Sequence, residues 1–279
     1  MSNLEVRRIP FNFDGAEFIW NPENPAFSIM MNQITFLVIG FERYLCKAIR
    51  ASEPLITDPV VAEEAKLFFE QEAVHAVAHR KHAKALIDRY PGLQDALDRT
   101  ISSYDQLMEE KPLEFALAYG GGLESVFTPF FKMILDNRDV LFSGGDSRLA
   151  SLFLWHFCEE IEHRSSALMV YNHVVGRFGY RIRNFRKCVR HVHSIADMLR
   201  EEFIKHVPGV PAEYFEIDPL GAVPRLDKIR SMLGVFDSQM PWHNPEKQAL
   251  PAYYEEWLSH WEAGADVSNI YGKQAGAIQ

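Results

Sequence analysis

Cysteine is scarce in this chain. Cys46, Cys158 and Cys188 are odd in number, lie far apart and form no C-x-x-C, so neither a disulfide framework nor a cysteine zinc site is expected. Long apolar runs are missing too: the longest, "ITFLVIGF", is far too short to span a bilayer. Positive charge is in deficit. A formal net charge of -9 leaves no basic excess to neutralise phosphates, which argues against nucleic acid or anionic lipid as the main partner. Strand signals are weak throughout, and the opening "MSNLEVRRIPFNFDG" is too polar to read as a signal peptide. A soluble cytoplasmic protein without stable membrane insertion is the expectation.

What is present is a large stock of core material, with 47% hydrophobic and 13% aromatic residues in 279. "RRIPFNFDGAEFIWNPENP" carries three prolines, Gly15 and alternating apolar residues, the pattern of an extended arm laid over a surface. Helical periodicity runs from Ala26 to about Ser52. Asp58-Pro59 then predicts a capped helix start, and the helix should end at Pro91-Gly92. Further helices are expected over about 93–109, from Pro112 to about Leu135, and from Asp146 or Ser147 to Val175. Others are expected near Asn184 to His206, Leu226 to Leu233 and Tyr253 to Ala263. The reading is a single all-α domain with four principal long helices. Residues 26–178 form the helical core, 1–25 the arm and 179–279 a helical extension.

Several acids stand where an apolar residue is expected. A helix turns about 100° per residue, so positions three, four and seven apart share a face. Glu42 lies among Val38, Ile39, Leu45, Cys46 and Ile49, and Glu124 among Gly120, Gly121, Phe127, Thr128 and Phe131. An unpaired buried carboxylate is costly and calls for a partner, a proton or a metal. Between them, Glu72 and His75 form E-x-x-H, with His79 one turn on; Glu160 and His163 repeat it, with His156 one turn before. The three glycines ahead of Glu124 cost helix stability, which suggests close packing, a distortion or room for a ligand.

The chain therefore reads Glu, E-x-x-H, Glu, E-x-x-H on successive helices. That is the ligand set of a carboxylate-bridged dinuclear centre in a four-helix bundle. Either E-x-x-H alone would more often be a surface ion pair, but four elements in this order, on apolar faces, weigh against coincidence. Glu159 competes with Glu160 as the ligand and is the one candidate for a spare catalytic base. Glu162 and His82 are assigned to solvent. His79 and His156 stay open between extra ligands and hydrogen-bonding partners of the ligands. The basic run from Arg181 to Arg190 reads as a solvated face or an anchor for an anionic substrate group.

The stretches "WNPENPAFSIMMNQITFL", "QEAVHAVAHR" and "WHFCEEIEHRSSA" also resemble a bacterial family named predicted metal-dependent hydrolases, over most of the chain. Its pattern is similar to the ferritin-like di-iron superfamily. The resemblance implies a ferritin-like four-helix bundle with Glu42, Glu72, His75, Glu124, Glu160 and His163 as metal ligands, and His79 and His156 near them. One departure is visible: where family members carry Ala-Phe-Asp-Val-Tyr after the E-x-x-H, this chain reads "ALMVY", with Met169 at the acid.

Mixed carboxylate and imidazole donors suit iron or manganese, so two metal ions, Fe/Fe or Mn/Fe, and no organic cofactor are expected. The leading functional expectation is an oxidase or oxygenase acting on a small, apolar organic substrate, with an electron donor and a homodimer as the partners such an enzyme admits. The alternative is a hydrolase, in which two metals generate a hydroxide and clamp the leaving oxygen. Non-catalytic metal binding or storage is the third.

Overall fold

The computed structural model describes residues 4–271. Among these no strand occurs; the chain is helical, joined by turns and short 3-10 segments. Residues 4–24 form the expected arm, without helix. Its Phe11, Phe13, Phe18 and Trp20 are buried, with Phe11 against Trp155 and Trp20 stacked on Phe153. Alternation of apolar and polar residues lets an extended segment bury every second side chain.

Helix α1 (Pro25–Ser52) starts where Asn24 accepts a hydrogen bond from the Phe27 amide and Pro25 presets the first turn. Helix α2 (Pro59–Arg89) starts the same way, with Asp58 accepting from the amides of Val60 and Val61. Then come α3 (Leu93–Glu110), α4 (Leu113–Asp136), the single turn α5 (Arg138–Leu141) and α6 (Ser147–Glu162), the last capped by Asp146. Helices α7 (Ser166–Val174), α8 (Phe178–His206), α9 (Arg225–Ser238) and α10 (Ala252–Glu262) complete the chain. Helix α1 packs on α2, α3, α4 and α8, while α4 packs on α6, α7, α8 and α9. Two buried helices thus carry the architecture.

Two expectations about helices need correction. The helix through the second E-x-x-H does not run to Val175. It stops at Glu162; His163 is its cap, and α7 restarts at Ser166. No glycine or proline marks this break. The Ser166 amide donates to the His163 carbonyl, and the Ser166 hydroxyl to Glu64 of α2, so a tertiary contact fixes the turn. The long helices also exceed four, because α8 begins at Phe178 and is longer than α4.

The glycine triplet in α4 is a packing device. A Cβ on Gly120 would meet Leu45, one on Gly121 would come 3.2 Å from Tyr171 Cβ, and one on Gly122 would come 3.2 Å from Phe185. Three neighbours, α1, α7 and α8, approach the α4 backbone there, which holds Glu124 one turn further on at the centre of the molecule.

Candidate metal centre

Glu42 comes from α1, Glu72 and His75 from α2, Glu124 from α4, Glu160 from α6 and His163 from its cap. All six are buried, at 3% exposure or less, and the fold brings them together. Two sets of donor atoms each lie within 4.8 Å: Glu42, His75, His156 and Glu160 in one, and Glu72, His75, Glu160 and His163 in the other. His75 and Glu160 belong to both, so the two sets adjoin. Glu124 stands beside the second, its Oε2 3.7 Å from His163 Nδ1.

Elsewhere in a protein interior such groups would be paired. Here both carboxylate oxygens of Glu42, Glu72 and Glu124, Oε2 of Glu160, Nδ1 of His75 and both ring nitrogens of His163 make no hydrogen bond. His163 Nε2 lies 3.1 Å from Glu72 Oε1, within ion-pair range but not aligned as a hydrogen bond. Burial first, and then the neighbouring carboxylates, push the Glu42, Glu72 and Glu124 carboxyls well above the ordinary range. His75 and His79 are pushed well down by burial and by His156. Against the opposing effect of burial, the Glu160 carboxylate raises His163 to about 9, and His163 in turn holds Glu160 well down. Four acids and two imidazoles crowded with unpartnered donor atoms are a set that two divalent cations would satisfy.

Around this core the ligands are held from behind. His75 Nδ1 points inward, 3.8 Å from Glu72 and 3.6 Å from Glu160, while its Nε2 donates to Glu159 Oε2 at 2.8 Å. The other Glu159 oxygen accepts from Arg7 Nη1 at 3.0 Å. Glu159 therefore backs a histidine with both oxygens engaged, and burial, opposed by Arg7, raises it to about 8. His156 turns Nε2 to Glu160 at 2.8 Å and Glu42 at 3.3 Å. Its Nδ1 meets His79 Nε2 at 2.8 Å, and His79 Nδ1 meets Thr35 Oγ1 at 3.0 Å. The structure thus separates two histidines that the sequence left level: His156 faces the carboxylates, and His79 stands behind it.

Two assignments to solvent are overturned. Glu162 is clamped by Arg7 Nη1 and Nη2, at 2.8 Å each, by Gln71 and by the Tyr254 hydroxyl. His82 is fully buried, with Nδ1 2.9 Å from Thr35 Oγ1 and its ring against Phe13. Both errors share a cause: the arm and α10 cover helix faces that periodicity alone leaves open. Arg7, Thr35, Gln71 and Tyr254 were not singled out from the sequence. Arg7 lies in a non-periodic arm, and its partners are 152 and 155 residues away. Of the basic run, Arg181 is buried on Gln239 while Arg183, Arg186, Lys187 and Arg190 are exposed. No helix among the described residues is long and apolar enough to cross a membrane.

A family model described as "Predicted metal-dependent hydrolase" matches residues 5–213. No curated protein and no solved structure matches the chain. The family's description names hydrolysis with a metal. It overturns the expectation of an oxygen-activating oxidoreductase and favours the alternative set beside it.

Proposed function

Because the chain belongs to the predicted metal-dependent hydrolase family, we propose that it hydrolyses a small-molecule substrate at a dinuclear metal centre held between α1, α2, α4 and α6. One observation carries this reading: a fully buried set of four carboxylates and two imidazoles that leave seven carboxylate oxygens and three ring nitrogens without hydrogen bonds. In the proposal Glu42, Glu72, His75, Glu124, Glu160 and His163 hold the metals, joined by His156. The four helices then correspond to a ferritin-like bundle, with 1–25 as its arm and 179–279 as its extension in one domain.

Bound there, two divalent cations would supply an activated water and charge stabilisation for the leaving oxygen. Carboxylate and imidazole donors suit iron or manganese and are compatible with zinc. The chain's own groups prepare the site. Glu159, held by Arg7, keeps the proton of His75 on Nε2 and so presents Nδ1 to the centre. In this reading Glu159 is a positioning residue rather than a free base. His79, held by Thr35, does the same for His156. Trp155, Phe68 and Phe131 close the surroundings against bulk water.

Metal analysis of the purified chain should find about two ions per chain, with loading reduced in Glu72→Ala and His163→Ala. The loaded protein should cleave members of an ester, amide and phosphoester panel, and lose that activity to a chelator. Full loading in both variants would sink the centre. A loaded protein inert to the whole panel would sink the reaction class.

A further inference from the structure

Helix α9 is built inside out. Its inward face carries small or polar residues: Asp227, Ser231, Gly234 and Ser238. Ser231 donates to the Pro129 carbonyl of α4, Gly234 sits where a Cβ would come 2.7 Å from Pro129 Cβ, and Ser238 is buried. The outward face carries the large apolar side chains. Leu226, Ile229, Met232, Leu233 and Phe236 are 48–65% exposed, and Trp242 just beyond the helix is 69% exposed. A surface helix of a monomer shows the opposite arrangement, apolar side in and polar side out. Together these side chains present on the order of 600 Å² of apolar surface, at the upper end of what a typical monomer exposes in one patch.

The spacing of the stripe says what covers it. Leu226, Ile229, Leu233 and Phe236 are separated by three, four and three residues, the seam of a helix pair. That spacing reads the same in both directions. Two antiparallel copies therefore match along their length, Leu226 against the partner's Phe236 and Ile229 against the partner's Leu233. Two such faces bury about 1,200 Å², enough for a stable interface. The other occupants fit less well. Residues 272–279 of the chain hold one large apolar side chain, Ile278. An anionic membrane would meet a protein of net charge -9, and the nearby Lys228 and Arg230 are already paired with Asp218 and Asp227.

We propose that the outer face of α9 is a homodimer interface, in which two copies of this chain pair α9 with α9 antiparallel about a two-fold axis. The inference does not depend on the metal reading.

The test is sedimentation equilibrium of the full chain over a concentration series, with Leu233→Asp and Met232→Lys as exposed-face variants whose helical circular dichroism reports folding. A dimer is expected, weakened at least about a hundredfold in Leu233→Asp, with helicity unchanged. Mixed Leu226→Cys and Phe236→Cys chains should form an intermolecular disulfide, and Leu226→Cys alone should not. A monomer at every concentration, or a dimer indifferent to both variants, overturns the proposal. So does a monomer that sediments with vesicles of phosphatidylcholine and phosphatidylglycerol. Cross-linking of Leu226→Cys to itself overturns the antiparallel arrangement.

Discussion

Arg7 shows how much one side chain can organise. It is buried, carries Glu159 and Glu162, lies beside Glu5, and is covered by the Trp257 and Trp261 rings. Through Glu159 it reaches His75. Arg7→Gln leaves two buried acids without their cation, a loss of about 3–5 kcal/mol. It should also weaken metal binding about 10- to 100-fold, because the group behind a ligand sets its tautomer and orientation. Glu162→Gln separates the two effects. It removes an Arg7 partner but leaves Glu159 on His75, so the melting temperature should fall while affinity, read by competition with a coloured chelator, holds. Equal losses of affinity in both variants would show that Arg7 acts through general stability alone. His82 gives a second expectation at this scale. Burial holds its folded value near 3, below the ordinary 6.5 of the unfolded chain. The neutral ring therefore contributes stability in full above pH 6.5, and this is lost as pH falls from there toward 3. Between pH 7 and 5 the wild type should lose about 2 kcal/mol more than His82→Gln, measured by urea midpoints.

Elements were legible where the signal is local. Asp58-Pro59 marks a helix start because cap and proline act within one turn, and the structure begins α2 there. The two Glu-x-x-His pairs with Glu42 and Glu124 were legible for the same reason: an acid or histidine on an apolar stripe contradicts its surroundings. What could not be read was set by distant chain. The break after Glu162 depends on Glu64 reaching Ser166, and the burial of Glu162 depends on Arg7 and Tyr254. Packing at glycines yields a paired expectation. In α1, a Cβ on Gly40 would sit 2.7 Å from Tyr104 Cδ2 and 3.0 Å from Thr100 Cγ2, both on α3. Gly40→Ala should destabilise by about 1–3 kcal/mol through overpacking, less the roughly 1 kcal/mol that alanine adds to a helix. Gly179 in the first turn of α8 has no atom within 4 Å of its Cβ position. Gly179→Ala should therefore stabilise by about 0.4–1 kcal/mol. Thermal melts reading the same sign for both would contradict this account of the α1–α3 contact.

The arm and α10 meet beside the candidate centre. Trp261 of α10 donates to Glu5 of the arm, and Tyr254 donates to the Glu162 that Arg7 holds. Helix α10 lies beyond the residues the family model matches, yet it completes the shell around residues within that span. The buried acids and the enclosing segments pull in opposite directions: packing excludes water, and excluded water leaves the acids repelling one another. Cations bound only by the folded chain relieve that repulsion and so stabilise the whole molecule by mass action. At a hundred times the dissociation constant the gain is about 2.7 kcal/mol, and at a thousand times about 4.1 kcal/mol. For a chain of this length that corresponds to a rise of several degrees in melting temperature. The increment should climb with the logarithm of free Mn²⁺, disappear with excess chelator, and be absent from Glu72→Ala, whose own melt should not respond to either. A melting temperature indifferent to metal, in a protein that calorimetry shows to bind it, would mean that the ions sit outside this cluster.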